Sequence, residues 1–331
     1  MNKFKTRSAP NNSSTGAICW RTVLSIMLPH STSVLMYCLL SCVSWLTVTL
    51  NLLVIISISH FKQLHTPTNI LLLSLAVSDF LVGFLIVFQL LLIDGCWYLG
   101  DFMCVLYYII DYVITSASVE NMVLISVDCY VAVCNPFQYP TTVTHKRVCV
   151  CISVCWMFSA ICVFIVFKEN LGQPGRFNSC IGECVVGFDE TGGIIDILFF
   201  FIGPVTIIVI LYVRVFVVAV SQARAMRSHV AAVSLQGSVR GNFKRSELKS
   251  ARTLGVVAAA FLICICPYFF LSVTGGETQF SASSFAFFLF YLNSCLNPLI
   301  YVLFFPWFRK TIKLIFTLQI LKAGSSQANI M

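Results

Sequence analysis

Seven long apolar segments constrain the architecture of this chain more than any other feature of its sequence. They cover residues 33–59, 68–93, 102–127, 148–167, 191–213, 253–276 and 278–305. Each segment is long enough to cross the hydrocarbon core of a bilayer as a helix, which takes about 20 residues. With 58% hydrophobic and only 10% charged residues, the composition differs strongly from that of a soluble globular protein. We therefore predict an all-α fold, a seven-transmembrane helix bundle.

The rest of the chain forms short flanking parts. We predict an extracellular N-terminal tail at 1–32, a transmembrane domain at 33–305, and an amphipathic eighth helix with a cytosolic C-terminal tail at 306–331. Basic and apolar residues from Trp307 to Ile320 suit a helix that lies along the inner membrane surface. The basic, serine-rich segment 221–246 is predicted to be a flexible linker.

Lysine and arginine residues predict the orientation, because cytosolic loops carry an excess of them. Fifteen lie on the side of segments 60–67, 135–147, 214–252 and the C-terminus, and six lie on the other. The four that precede the first span favour the reverse locally, but the total places the N-terminus outside. Asn11 and Asn12 begin overlapping glycosylation sequons, which are useful only outside. We expect a multi-pass plasma-membrane protein whose +8 charge faces anionic lipid and binds no nucleic acid.

The third segment carries acids inside a span. Along a helix, Asp111 and Asp128 are roughly 25 Å apart, so an acid lies near each face of the bilayer. Thr115 shares the face of Asp111, whereas Glu120 lies on the opposite side. An acid inside a membrane is costly and by default indicates a functional site. The alternative is a structural acid paired with a neighbouring helix, which we favour for Glu120.

A further acid, Asp196, lies near the outer end of the fifth segment, at a depth similar to that of Asp111. Because neighbouring helix axes are about 8–10 Å apart, both carboxylates could face one cavity. Such an anionic pocket would bind a cation, and a dication would balance it best. The alternative is that desolvation keeps one carboxyl neutral, or that a nearby serine or tyrosine binds it.

Aromatic side chains in the outer halves of the last two segments could complete this pocket: Tyr268, Phe269, Phe288 and Tyr291. They could hold an ammonium group by cation–π contact, and Tyr291 could hydrogen-bond Asp111. With 29 phenylalanines in the chain, chance placement is the competing explanation.

Polar residues deeper in the spans form another predicted cluster: Asn51, Asp79, Ser118, Asn293, Ser294 and Asn297. Such a cluster can hold a sodium ion or waters, and mutual hydrogen bonding is an equal alternative. Apart from this possible sodium, no metal and no cofactor are expected. The chain lacks a P-loop, an HExxH motif and histidines at ligand spacing, so we do not predict an enzyme.

Five of the 16 cysteines lie outside or at the outer ends of the spans: Cys19, Cys96, Cys104, Cys180 and Cys184. A Cys104–Cys184 disulfide would tie the third segment to the long loop after the fourth. A Cys19–Cys180 disulfide would then bring the N-terminal tail to the same mouth and leave Cys96 over. Sequence alone cannot prove the connectivity.

These motifs resemble those of rhodopsin-class G-protein-coupled receptors over about residues 33–318. The matching positions are Asn51, Leu75-Ala76-Val77-Ser78-Asp79, Cys104, Asp128, Tyr130, Trp156, Pro204, Tyr212, Cys264, Pro267 and Asn297-Pro298-Leu299-Ile300-Tyr301. Within that class, Cys96-Trp97-Tyr98 and the stretch 293–308 resemble the trace amine-associated receptors.

The resemblance implies a ligand and a partner. It implies that Asp111 binds an amine, and that Asp196 occupies a position where some fish members carry an acid. Members with both acids are expected to favour diamines such as cadaverine or putrescine. An olfactory receptor that signals through a stimulatory heterotrimeric G protein and cyclic AMP is also implied. The implied coupling residues are Asp128, Cys129, Tyr130, Tyr212 and Tyr301.

Two departures from the family pattern concern signal transmission. Between Asp128 and Tyr130, where the class has arginine, this chain has Cys129, which cannot act as a cation. In the sixth segment, Ile265 stands where the family usually has tryptophan. An amine-binding receptor with weak or no coupling is therefore the alternative. A polyamine transporter is a remote one, since no internal repeat supports it.

Overall fold

The computed structural model describes residues 30–93, 97–178, 183–232, 238–274, 280–322, 324–327 and 330. Within them, side chains are described for 34–92, 97–178, 183–221, 253–271, 285–322, 324–327 and 330. The predicted glycosylation sites Asn11 and Asn12 lie outside the described residues. So do Cys19, Cys96 and Cys180, and with them the predicted Cys19–Cys180 disulfide.

Eight long helices make up most of the described chain. The first four are α1 His30–His60, α2 Pro67–Ile93, α3 Asp101–Cys134 and α4 His145–Val166. α5 has three consecutive segments: α-helical Glu190–Ile195, π-helical Asp196–Ile202 and α-helical Gly203–Ala232. The last three are α6 Ser238–Thr274, α7 Phe280–Phe304 and α8 Pro306–Phe316. Each of α1 to α7 contains a stretch long and apolar enough to cross a membrane, which confirms the predicted all-α bundle.

Proline and glycine explain where several helices begin and bend. Pro67 and Pro306 lie in the first turn of α2 and α8, where the missing N–H is not needed. Gly100 precedes α3 with φ +85°, a left-handed conformation that other residues disfavour. Pro267 in α6 and Pro298 in α7 each remove one backbone hydrogen bond from the helix interior.

α5 and α6 extend further than predicted. α5 runs to Ala232 and α6 begins at Ser238, so the prediction of a flexible linker over 221–246 was wrong for most of that segment. Its alanine and arginine residues are strong helix formers. Adding residues to an existing helix also avoids the cost of a new nucleus. Local polarity therefore did not end either helix.

α3 lies at the centre of the bundle and packs against α2, α4, α5 and α6. Its Met122 and Ile125 are wholly buried in a core that they share with Phe261 of α6. Because lipid is as apolar as these side chains, close packing holds the helices together. We call the two ends of the bundle the disulfide end, which carries Cys104 and Cys184, and the Asp128 end.

α8 lies at the Asp128 end, and its two faces differ. Phe308 and Thr311 are buried, whereas Arg309 and Lys310 are exposed, as expected of the predicted amphipathic helix. The hydroxyl groups of Thr311 and Ser57 form a hydrogen bond of 2.9 Å. This bond ties α8 to α1.

Candidate functional site

A cavity of about 110 Å³ lies between α3, α5, α6 and α7, towards the disulfide end. Both predicted acids line it, Asp111 from α3 and Asp196 from α5. Four further predicted residues also line it: Thr115, Tyr268, Phe269 and Tyr291. None of its described lining residues is a lysine, an arginine or a histidine. Among the described lining residues, the cavity therefore presents two acids and no basic side chain.

Asp111 is buried, with 8% of its surface exposed, and its carboxylate is incompletely satisfied. Among the described residues, its Oδ1 atom is buried without a hydrogen-bond donor. Thr115, one turn further along α3, donates its hydroxyl to the backbone carbonyl of Asp111 at 2.7 Å rather than to the carboxylate. A buried charge without a partner is costly, so this carboxylate can bind a cation that enters the cavity.

A π-helical segment carries Asp196. Asp196 is its first residue, and Phe200 of the same segment also lines the cavity. The preceding turn of α5 is capped by Asp189, whose Oδ1 accepts the N–H of Gly192 at 2.7 Å. π-helical turns are rare and occur frequently at functional sites. Sequence patterns contained no signal for this one.

Tyr268 is the centre of an aromatic wall. Its ring centroid lies 5.2 Å from that of Phe269, 5.1 Å from that of Phe287 and 4.9 Å from that of Phe290. Phe269 in turn stacks on Phe201 at 4.4 Å, with the two planes 8° apart. Because the face of an aromatic ring attracts a cation within about 6 Å, this wall can stabilise an ammonium group.

Tyr291 bonds Gln89 rather than Asp111. The Tyr291 hydroxyl donates to Gln89 Oε1 at 3.5 Å, and Tyr107 donates to the same oxygen at 3.0 Å. Phe288 does not line the cavity and packs at the edge of an apolar cluster that also contains Tyr291. Successive residues on a helix point about 100° apart, so Phe287 on the wall turns Phe288 away from it.

Sequence reasoning missed several lining residues: Gln89, Tyr108, Tyr112, Ser116, Val119, Phe200, Phe287 and Phe290. Helical spacing could have found some of them, since Tyr108 lies three residues before Asp111 and Tyr112 three before Thr115. Gln89 has no such signal, because it comes from α2, where no cavity residue was expected.

A smaller cavity of about 20 Å³ lies next to the main one, deeper in the bundle. Ile265 and Thr115 line both, so Ile265 forms part of the floor between them. Asn293 lines the smaller cavity, and its buried Oδ1 has no donor in the described part of the chain. A cavity of this volume has room for one water molecule, which the Asn293 oxygen could bind.

Asp79 is wholly buried and brings the predicted polar cluster together. Its Oδ1 accepts the Ser118 hydroxyl at 3.0 Å, and its Oδ2 accepts Asn297 Nδ2 at 2.8 Å. Asn51 Nδ2 donates to the backbone carbonyl of Ser294 at 3.0 Å. The Oδ1 atoms of Asn51 and Asn297 have no donor among the described residues, so the cluster has oxygens left for water or a cation.

Cys104 and Cys184 form the predicted disulfide, with an S–S distance of 2.01 Å. It ties the first turn of α3 to the segment that precedes α5. Asn178 holds the same loop to α3, because its Nδ2 donates to Asp101 Oδ1 at 2.9 Å. The loop is thus attached at the end of the bundle where the main cavity lies.

At the other end of α3, Asp128 is well supplied with hydrogen bonds. Thr68 of α2 donates to its Oδ2 at 2.8 Å, and Tyr139 donates to its Oδ1 at 2.9 Å. Tyr139 lies in the short helix Tyr139–Thr142 between α3 and α4. Burial, and next the charge of Asp128, raise the pKa of the Tyr139 hydroxyl, so this group stays a proton donor.

The other predicted coupling residues lie around the apolar contact between α3, α5 and α6. Cys129 is only 1% exposed and shares a core with Leu254 of α6. Tyr212 donates its hydroxyl to the Leu254 carbonyl at 2.9 Å, which links α5 to α6. Tyr130 is half-buried, and Tyr301 is buried with no partner for its hydroxyl in the described part of the chain. No cation occupies the place between Asp128 and Tyr130.

Glu120 faces away from the cavity. It lies beside Ser159 and Cys155 of α4, yet neither carboxylate oxygen makes a hydrogen bond of normal geometry to a described residue. This location agrees with the expectation that Glu120 contacts a neighbouring helix. It also makes Glu120 a control acid for tests of Asp111, which lies on the same helix.

Comparison with known proteins identifies the family. Residues 50–301 match the family model of the seven-transmembrane receptors of the rhodopsin family. Trace amine-associated receptor 13c of Danio rerio is 39% identical over 311 residues, which cover 91% of each chain. Trace amine-associated receptor 9 of Rattus norvegicus is 36% identical over 329 residues, 95% of this chain and 97% of the relative. Receptors of this kind sit in the plasma membrane and are not enzymes. The chain belongs to the trace amine-associated receptors, within the rhodopsin class of G-protein-coupled receptors.

Proposed function

We propose that the chain is an amine-sensing receptor whose preferred ligands are diamines such as putrescine or cadaverine, bound between Asp111 and Asp196. The observation that carries this proposal is the pairing of two acids with no base among the described lining residues. A monoamine would leave one carboxylate without a counter-charge, whereas a diamine supplies both. The names of the similar receptors support the amine class.

One ammonium group binds Asp111, whose buried Oδ1 lacks a donor among the described residues. The Tyr268 ring lines the same cavity and adds a cation–π contact. The methylene chain then lies along Phe269 and Phe290, and the second ammonium group reaches Asp196. Thr115 supports the site by holding the backbone at Asp111.

The disulfide end faces outwards in this proposal. Residues 1–32 are then an extracellular tail with glycans at Asn11 and Asn12, 33–305 are the receptor domain, and 306–331 lie in the cytosol. The distribution of basic residues supports this orientation, with fifteen on the Asp128 side and six on the other. A ligand therefore enters the cavity from outside the cell, below the loop that Cys184 anchors.

Signalling passes to a stimulatory G protein and raises cyclic AMP, in an olfactory cell. The family resemblance supports this coupling, and the coupling residues gather at the Asp128 end. The polar cluster around Asp79 holds a sodium ion or water, because its buried amide oxygens still accept.

A receptor that binds amines but couples weakly is the second candidate. The favouring observation is that Cys129 is buried in an apolar core while both oxygens of Asp128 already accept neutral donors. Position 129 thus offers no cation at this point of contact with a G protein. Amine binding and cyclic AMP production must therefore be measured separately.

A panel of aliphatic amines tests the proposal. Cells that express the chain receive monoamines and diamines of three to six carbons, and both binding and cyclic AMP are recorded. We expect a diamine to be at least about tenfold more potent than the monoamine of equal length, since neutralising a second, half-buried acid is worth at least about 1.4 kcal/mol. Equal potency across the panel would refute the two-acid site.

Two further readouts separate the alternatives. Binding without cyclic AMP would support the weakly coupled receptor. Uptake of labelled putrescine into vesicles that contain the chain would instead support a transporter. The Glu120→Gln variant is the matched control, because it removes a half-buried acid from α3 outside the cavity and should leave amine potency unchanged.

A further inference from the structure

After α8, the chain turns back towards the loop between α1 and α2. Leu318, with φ +55°, and Gly324, with φ +82°, are both in the left-handed region. Leucine adopts this conformation rarely, so favourable contacts elsewhere must hold the turn. Two short 3₁₀ turns, Gln319–Leu321 and Ser325–Gln327, accompany the reversal.

The returning segment places Ile330 in an apolar pocket. Ile330 is 1% exposed and packs in one cluster with Phe61 and Leu64, which are completely buried. Trp307 and Leu314 of the α8 region pack against the same cluster. The pocket is therefore built jointly by the loop after α1 and by α8, and Ile330 joins the two parts.

Two polar contacts place the segment in register. The backbone N–H of Ile330 donates to Gln63 Oε1 at 3.1 Å. The Ser325 hydroxyl donates its only hydrogen to the Ile320 carbonyl at 2.6 Å. Its oxygen, 2.9 Å from His60 Nε2, must then accept a hydrogen bond from the N–H of that nitrogen. One aliphatic anchor and two directional hydrogen bonds together make a specific contact rather than a general apolar one.

We propose that His60, Phe61, Gln63 and Leu64 form a docking site for two described parts of the chain's own C-terminal segment, residues 325–327 and Ile330, with Ile330 as the anchor. The docked segment holds α8 against the end of α1, beyond the buried Ser57–Thr311 hydrogen bond. The pocket fits a short peptide that carries an aliphatic residue five positions after a serine. The proposal rests on these contacts alone and is independent of the amine-sensing function.

Tethering gives a distinctive expectation. A linked segment competes at an effective concentration that reaches the millimolar range, so a free copy of it binds poorly while the tethered copy is docked. When a substitution prevents the tethered segment from docking, the free peptide can bind the empty pocket. Binding of a peptide in solution therefore reports whether the segment occupies the pocket.

The first test uses the full chain in lipid nanodiscs and a fluorescent peptide of residues 324–330. The peptide should bind the Ile330→Asp variant at least tenfold more tightly than the unchanged chain, whereas the Ile330→Val variant should resemble the unchanged chain. A control peptide that carries aspartate at the position of Ile330 should bind the Ile330→Asp variant at least tenfold more weakly than the unchanged peptide does. Equal binding to all three chains would overturn the proposal.

A crosslinking test does not depend on removing the anchor. The double variant His60→Cys with Ser325→Cys replaces two side chains whose polar atoms lie 2.9 Å apart. Because a cysteine sulfur lies nearer the backbone than His60 Nε2, a short bifunctional thiol reagent is used to link the two cysteines. It should crosslink most molecules, detected by mass spectrometry after digestion. The matched pair His60→Cys with Gln327→Cys, which uses an exposed residue two positions on, should crosslink at least several-fold less. Equal yields from the two pairs would show that the segment is not docked.

Discussion

The two ends of α3 each carry a buried aspartate, and their surroundings differ. At the disulfide end, Asp111 has a buried oxygen without a donor among the described residues. At the other end, both oxygens of Asp128 accept hydrogen bonds, from Thr68 and Tyr139. Burial is similar, 8% and 5% exposed. The two aspartates are therefore alike in burial and differ in their supply of hydrogen-bond donors.

The difference also bears on Cys129. An arginine at this position would satisfy Asp128 by charge, and this chain satisfies it with two neutral hydroxyl groups instead. The Asp128 end can thus keep its packing without a cation. Whether a cation at position 129 is needed for contact with a G protein is a different question from whether Asp128 is satisfied. Four substitutions test this contrast, from the largest expected effect to the smallest.

Asp111→Asn should raise the EC50 of the diamine at least about 100-fold, equivalent to about 2.7 kcal/mol, because the bound ammonium loses its counter-charge. The measurement is amine binding and cyclic AMP at matched surface expression. Asp128→Asn, at the satisfied end of the same helix, should change amine affinity by less than about threefold. Comparable losses of affinity in the two variants would contradict the proposal that Asp111, and not Asp128, binds the amine.

Asp196→Asn should separate ligands by charge. The EC50 of a diamine should rise about 10- to 30-fold, roughly 1.4–2 kcal/mol, while that of a monoamine should change by less than about threefold. Dose–response curves for a matched pair of amines give both numbers. Glu190→Gln, which removes an exposed acid from the same helix, is the control. A uniform loss for both ligands would place the second ammonium elsewhere.

Tyr139→Phe should destabilise the Asp128 end by about 1.5 kcal/mol, because one oxygen of a buried carboxylate loses its donor. Thermal unfolding of the purified receptor measures the loss. Tyr130→Phe removes a hydroxyl without a hydrogen bond among the described residues, so it should leave the midpoint unchanged. If both variants melted like the unchanged chain, the Asp128 oxygens would not depend on Tyr139.

Cys129→Arg should have the smallest effect, a rise in maximal cyclic AMP of up to about fivefold. The gain is limited because Asp128 already accepts two hydrogen bonds and because a cation placed at this buried position must lose its hydration. Cys129→Ala keeps the position uncharged and should signal like the unchanged chain. An unaltered response in the arginine variant would show that transmission here needs no cation.

Sequence alone determined the seven spans and the chemistry of the main cavity. Apolar length is a local property, so composition was enough to locate each membrane helix. Asp111 and Asp196 stood out because a charge inside an apolar segment is costly wherever it occurs. The Asp79 cluster followed for the same reason, and the structure brings its members together.

Tertiary structure decided which partner each of these groups meets. Gln89, rather than Asp111, accepts from Tyr291, and Phe287 takes the place on the wall that was expected of Phe288. The π-helical turn at Asp196 likewise follows no local pattern. A hydrogen bond between helices depends on their rotation and depth, which a one-dimensional pattern does not contain. The unequal supply of donors to the two aspartates of α3 is a result of this kind, because Thr68 and Tyr139 lie 60 and 11 residues away along the chain.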